Sequence, residues 1–216
     1  TPADTGYILY TSNGGANWLV QFKRNNFAFS DIVILNSQTG YAGGFLSGPG
    51  LPGLYKTVNG GINWDSIPIN VNHNISDIYF LNNDSGWTCS DLIGPDVRTT
   101  TDGGNTWIVR TNGMSQPSSK IFFLDNNTGF CGASNILYKT TNAGLNWSLL
   151  YSSPEAVISI FFLNEVTGWL GLNNNKIHFT SNAGINWSNQ QVPLVNSQPI
   201  YDIFFINSMT GWAGRT

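Results

Sequence analysis

The chain has 216 residues, and its 41% hydrophobic content is enough to bury a substantial core. Only 10% of residues are charged, and a net charge of −3 with nine Lys plus Arg leaves no basic stripe for nucleic acid. No apolar run approaches the ~20 residues that a membrane-spanning helix needs.

The polar surface therefore falls to uncharged side chains, among them 28 Asn. Five Asn-x-Ser/Thr sequons, at Asn74, Asn83, Asn126, Asn146 and Asn186, are candidate glycosylation sites, two of them inside a repeated turn. This composition suits an extracellular or cell-surface protein, with the periplasm as the alternative. The sequence opens on Thr1 with no signal peptide, as a mature product or an excised piece would.

Taken in order, the chain begins with two short strands, Tyr7 to Thr11 and Trp18 to Phe22, around the turn Thr11-Ser12-Asn13-Gly14-Gly15-Ala16-Asn17-Trp18. Next comes the run Ile32-Val33-Ile34-Leu35-Asn36, followed by Gly40-Tyr41-Ala42-Gly43. A strand of the type Leu54-Tyr55-Lys56-Thr57 leads into a second copy of the turn. This order repeats along the chain. The apolar run returns as Ile78 to Asn82, Ile121 to Asp125, Ile160 to Asn164 and Ile203 to Asn207, each followed by Gly and an aromatic at 86, 129, 168 and 211.

The turn itself occurs five times: Thr11, Asn13, Gly15 and Trp18; Thr57, Asn59, Gly61 and Trp64; Thr100, Asp102, Gly104 and Trp107; Thr140, Asn142, Gly144 and Trp147; Thr180, Asn182, Gly184 and Trp187. The Trp residues lie 46, 43, 40 and 40 positions apart, so a unit of about 40 to 46 residues repeats. Asn or Asp turns the backbone through its own side chain, Gly supplies a positive φ, and Trp buries a large ring beside the turn. The device makes hairpins and carries no reactive group.

Each unit thus holds four strands: A, the apolar run; B, from the Gly-aromatic pair; C, ending in the box Thr; and D, from the box Trp. Strand A is apolar on both faces, as a strand buried deep in the molecule would be. No helical period is sustained. Four-stranded units of this length predict an all-β fold, a five-bladed β-propeller of antiparallel blades, with residues 1–216 as one domain. A right-handed β-solenoid is the alternative. The chain starts with a C–D pair and stops after an A–B pair, so the termini are expected to share one blade, two strands from each. A linker through the joined ends would be 16 residues, within the 11 to 17 of the complete units. Five units from a longer array would have the same phasing, and half-blades could also pair between molecules.

A–B and C–D turns are tight in every copy, whereas the other connections vary: Gly44 to Gly53, Ser90 to Val97, Thr111 to Ser119, Tyr151 to Ala156 and Gln190 to Pro199. In a propeller these loops share one end, and binding sites concentrate on such loops.

Thr-x-Asn/Asp-x-Gly-x-Asn/Thr-Trp resembles the Asp-box, or bacterial neuraminidase repeat. Paired with the Ile-Phe-Phe-Leu-Asn…Gly-Trp-x-Gly signature, it looks closer still to photosystem II assembly-factor-like propellers; sortilin-type and xyloglucanase-type propellers share the box. The resemblance covers essentially the whole chain and implies the fold. Its function is left open, because the same box occurs in enzymes, receptors and assembly factors. Such factors are usually seven-bladed, and four of the five boxes here carry Asn where Asp is usual.

Sialidase chemistry would need an arginine cluster, and Arg24, Arg98, Arg110 and Arg215 are scattered. Other glycosidases need two carboxylates across a cleft, yet Asp65, Asp84, Asp102 and Asp125 lie in turns. Asp31, Asp77 and Asp202 precede strand A in three units, with Lys120 and Ser159 at that level in the others. In a closed ring they would gather at one channel mouth as a polar or cation site; the plainer reading is that each Asp accepts backbone amides at its strand start. His73 and His178 have no partner spacing for metal or nucleophilic work, and His178 stands where two other copies have Tyr. Cys89 and Cys131 form no disulfide framework or metal site and read as small buried residues. No cofactor is expected.

The reading that results is a non-catalytic secreted or cell-surface propeller that binds protein or glycan through its variable loops. The alternatives are a self-assembling protomer of a filament or surface layer, a glycoside hydrolase-like fragment, and an assembly factor for a photosynthetic complex.

Overall fold

Twenty strands and no helix make up the described residues, 5–46, 52–69, 74–92, 94–193 and 197–215, of this computed structural model. Strands β1 (Thr5–Tyr10) and β2 (Leu19–Asn25) pair alone. Four four-stranded sheets follow. The first holds β3 (Phe27–Ile34), β4 (Gly40–Leu46), β5 (Pro52–Thr57) and β6 (Asp65–Ile67). The second holds β7 (Asp77–Phe80), β8 (Gly86–Ser90), β9 (Asp96–Thr100) and β10 (Ile108–Val109). The third is β11 (Lys120–Phe123), β12 (Gly129–Ala133), β13 (Ile136–Thr140) and β14 (Ser148–Ser152), and the fourth is β15 (Val157–Phe162), β16 (Gly168–Leu172), β17 (Lys176–Thr180) and β18 (Ser188–Gln190). A last pair, β19 (Asp202–Asn207) and β20 (Thr210–Gly214), closes the chain. Every sheet is a meander in chain order, the A–B–C–D blade read from the repeats.

The box turn is built by the same bonds each time. The Thr140 hydroxyl donates to Asn142 Oδ1 at 2.9 Å and accepts the Asn142 and Gly144 amides at 3.3 and 2.9 Å. Asn142 Oδ1 also accepts the Asn146 amide at 2.9 Å, four residues on rather than two. One oxygen is enough for this work, which is why Asn replaces Asp in four boxes. In the third box the second oxygen is used: Asp102 Oδ2 accepts the Thr106 hydroxyl at 2.6 Å. Those Thr106 bonds hold the exposed carboxylate down to about 2. Two consecutive residues take positive φ, the second always Gly (82° to 88°) and the first Gly or, in two copies, Ala143 (59°) and Ala183 (62°).

The A–B turn is equally regular. The side-chain oxygen of Asn36, Asn82, Asp125, Asn164 or Asn207 accepts the amides two and three residues on. The two turns are clasped within a blade: Gly60 N–H donates to Gln38 O, Gly103 to Asp84, Ala143 to Asn127 and Ala183 to Val166, at 2.9 to 3.0 Å. At the start of strand B, a Cβ on Gly86, Gly129, Gly168 or Gly211 would collide with the ring of Phe80, Phe123, Phe162 or Phe205. Glycine there lets strand A lay its Phe flat across strand B, which explains the recurring Gly-aromatic pair.

Strand D starts one residue later than expected, after the Trp, in all five copies. The indole turns inward instead of joining the ladder and meets the strand-A Phe edge-on: Phe80–Trp107, Phe123–Trp147 and Phe162–Trp187 have centroids 6.1 Å apart. Cores lie between consecutive blades. Tyr41 stacks on Phe80 (3.8 Å), Phe130 on Phe162 (3.7 Å) and Trp169 on Phe205 (3.7 Å), each a strand-B ring on the strand-A ring of the next sheet. Burial pushes the Tyr41 hydroxyl up to about 12, with Asp84 adding to it, so it stays protonated and donates to Gly103 O at 3.0 Å.

The chain divides into two compact units, Thr1–Leu92 with Thr99–Ile108 and Ile93–Arg98 with Val109–Thr216. Blades that pack only on their neighbours build no single common core. β1 pairs with β2 and β19 with β20, each as a two-stranded sheet. Strand A is not buried on both faces in β3 or β19. Ile32 and Ile34 are 47% and 58% exposed, Phe204 and Ile206 55% and 58%.

Two substitutions test this account by urea unfolding. Gly129→Ala forces Phe123 off its glycine and should cost about 1–3 kcal/mol. Ala143→Gly relieves a left-handed alanine and should stabilise by up to about 1 kcal/mol.

Candidate functional site at the loop end

The B–C turns and D–A connections fall at the same end of every blade, because alternate connections of a meander share an end. Here the repeats stop resembling one another. Of the variable loops, 111–119 and 151–156 are described in full, both in the second unit.

The residues before strand A tie one blade to the next. Asp31 Oδ1 accepts the Ile32 amide at 2.8 Å, and its Oδ2 accepts the Ile78 amide of the following sheet at 2.9 Å. The Ser30 hydroxyl donates to Ile75 O, and the Ser159 hydroxyl donates to Ile200 O at 3.2 Å, again across a blade junction. Asp77 is buried, and exposed Asp202 accepts the Ile203 amide at 2.9 Å. Thus Asp31 reaches the strand that Asp77 begins, through backbone amides. Lys120 and Asp202 open β11 and β19, with β15 between them. Asp31, within β3, and Asp202, at the start of β19, both accept backbone amides.

A second group gathers where the third and fourth four-stranded sheets meet. Tyr151 on β14 and His178 on β17 share a hydrogen bond of 3.0 Å between hydroxyl and Nδ1. Beside them Lys176 Nζ donates to Glu155 Oε1 at 2.5 Å. Glu155 Oε2 is buried and has no hydrogen-bond partner among the described residues. Elsewhere Tyr138 accepts the Ser115 amide at 3.1 Å, and Arg215 donates to Asn175 Oδ1 at 2.8 Å. Burial holds the His178 imidazole below its ordinary 6.5; Glu155 pulls the other way and Lys176 adds to the depression. Burial likewise raises Tyr151, helped by Glu155.

His178 was legible as an odd residue at a Tyr position, but its partners were not. Tyr151 comes from strand D of the preceding blade and Glu155 from an unrepeated loop, so no local motif marks them. His73 lies outside the described residues. Cys89 and Cys131 are buried and not disulfide-bonded. Arg98 pairs with Asp96 at 2.9 Å, and the Arg110 carbonyl accepts the Trp147 indole N–H at 2.9 Å. Among the described residues no group of three or more His, Cys, Asp or Glu is placed to hold a metal, and no helix could cross a membrane. Asn83, Asn126, Asn146 and Asn186 are exposed, and Asn74 is half-buried.

The family described as photosynthesis system II assembly factor YCF48 matches residues 56–197. No curated protein matches the sequence. Among solved structures, the fold resembles YCF48 from Cyanidioschyzon merolae at 15% identity and TM-score 0.72, over 97% of this chain and 73% of that one. It also resembles YCF48 bound to D1 peptide, at 16% identity and TM-score 0.55, over 100% and 78% of the two chains. A GH74 xyloglucanase from Xanthomonas campestris shares 11% identity at TM-score 0.62, over 81% of this chain and 33% of the enzyme. These likenesses establish a β-propeller fold.

The lowered His178 fixes the sign of a pH effect. The unfolded chain binds its proton more readily, so the contribution to stability is complete above pH 6.5 and is lost as pH falls below it toward the folded value. His178→Tyr, the residue at this position in β5 and β13, should flatten that part of the melting-temperature profile. An unchanged slope would place the titration elsewhere.

Proposed function

The chain belongs to the photosynthesis system II assembly factor YCF48 family, and on that premise we propose that it is a non-catalytic propeller module that binds a segment of a partner polypeptide at its loop end. The observation that carries this is Glu155: one carboxylate oxygen is held by Lys176, and the other is buried without a donor. Such an acceptor costs about 1–3 kcal/mol until a donor reaches it. A peptide main chain supplies N–H groups of that kind, and Asn175 stands next to Lys176 in the chain. The neighbour solved with D1 peptide supports a polypeptide as the ligand class.

A hydrolase needs an acid and a base free to exchange protons. Asp31 and Asp202 instead accept backbone amides, which supports the non-catalytic reading over the glycosidase one. A place outside the cytoplasm, on a secreted or surface protein, rests on the low charge and the Asn-rich surface.

Selection from a displayed random-peptide library, with D1 peptide included, tests the proposal. Peptides should be enriched and bind saturably in calorimetry, and Glu155→Gln should weaken them about tenfold, or about 1.4 kcal/mol. Retention only by glycans, or sugar release from xyloglucan, would overturn it.

A further inference from the structure

Glu155 and Lys176 together decide what kind of donor this loop can take. Resting on the reading that the loop end binds a partner polypeptide, we infer that the Glu155 site takes an uncharged donor, an amide N–H or a hydroxyl. Lys176 is the residue that keeps cationic side chains out of it.

The carboxylate sits on a clamped loop. Residues 153–156 join β14 to β15, and the B–C turns of both blades grip them. On one side the Ser153 amide donates to Asn135 O at 2.8 Å, and Asn135 Nδ2 donates back to Ser153 O at 3.1 Å. On the other, the Asn173 amide donates to Ala156 O at 3.0 Å. Between these anchors the Glu155 amide donates to the buried Ser153 hydroxyl at 3.3 Å. A backbone swing that carried the unmet Oε2 out to water would break these bonds, so the oxygen stays where a ligand must come to it.

The charges of the cluster sum to zero. Lys176 Nζ donates to Oε1 at 2.5 Å and cancels the carboxylate. Burial keeps the His178 imidazole below its ordinary 6.5 and the Tyr151 hydroxyl above its ordinary 10.0, so both are neutral at pH 7 and satisfy each other across 3.0 Å. Lys176 is also the more exposed member of the ion pair, 38% against 14% for Glu155, and is the charge an approaching ligand meets first.

That balance discriminates among donors. The two carboxylate oxygens share one carbon, so any donor to Oε2 stands close to Nζ as well. A ligand ammonium or guanidinium there would lose its hydration beside a cation, with no second negative charge to offset it. A ligand carboxylate has no proton to give and meets an oxygen of its own sign. An amide or hydroxyl brings the hydrogen without the charge, and its bond to an ionised acceptor is stronger than one between neutral groups.

A lysine scan of the tightest peptide from the displayed library tests this, with calorimetry at pH 7 on the wild type, Lys176→Met and Lys176→Arg. Met keeps the stem and removes the charge. On the wild type, lysine at one peptide position should weaken binding by about tenfold or more. On Lys176→Met that same peptide should bind more tightly than its parent, because Glu155 is then an unpaired carboxylate. Lys176→Arg should behave as the wild type, and Glu155→Gln added to Lys176→Met should erase the preference for lysine. If the wild type and Lys176→Met penalise lysine equally, or both tolerate it at every position, Lys176 does not discriminate; the inference then falls while peptide binding stands. If no peptide is retained, the reading beneath it falls and takes it along. Should Lys176→Met not fold, the wild-type scan decides alone: tolerance of lysine at every position overturns the inference.

Discussion

The structure depends on one hydroxyl per repeat. The box Thr is almost wholly buried in the complete blades, 3% exposed or less at Thr57, Thr100, Thr140 and Thr180, and it accepts two amides while donating to the Asn or Asp oxygen. Those bonds hold the next residues in left-handed conformations that an isolated chain avoids. The turn in turn aims two groups: its first left-handed amide toward the A–B turn, and the Trp indole inward. Thr11 makes the same three bonds at the turn between β1 and β2. The turn is therefore a local unit, and each blade is arranged around it.

Packing then proceeds from blade to blade. A strand-B ring covers the next strand-A ring, and at Tyr41–Phe80–Trp107 and Phe130–Phe162–Trp187 that ring also receives its own box Trp edge-on, making a three-ring core. In such a construction stability is approximately a sum of units and nearest-neighbour interfaces. Exposed Trp18, Ile34, Phe204 and Trp212 lie beside β2 and in β3, β19 and β20.

What could be read in the sequence was what is repeated. Thr, Asn, Gly and Trp recur because each fills a backbone or packing requirement that arises in every blade, and their spacing located all five C–D turns. The Gly before the strand-B aromatic was legible as a strand start, but its reason, the Phe ring lying across it, required the register. The start of strand D was misplaced by one residue because a Trp suits both a strand and a core, and packing decided between them. Burial of strand A followed from its composition in β7, β11 and β15, whereas Ile32 and Ile34 in β3 depart from it. The Asp31 bond to Ile78 and the Tyr151–His178 pair join different blades, and no pattern within one repeat encodes them.

This division between repeated and unrepeated positions also bears on function. Repeated polar atoms are consumed by the fold: the box Thr and Asn, the A–B turn Asn, and Ser30, Asp31, Ser159 and Asp202 bond to backbone. A side chain whose hydrogen-bonding capacity is committed to the scaffold has little left for a ligand. Recognition must then come from positions that the repeat leaves unspecified, which lie on the D–A and B–C connections. Glu155 is such a position. Its first oxygen is held by Lys176, a residue at the B–C end of the next blade, and its second is buried and unmet. A carboxylate fixed in that way has one oxygen committed, and a donor reaches the other when the groups that cover it give way. The regularity of the propeller thus makes a rigid frame on which one irregular loop can be specific.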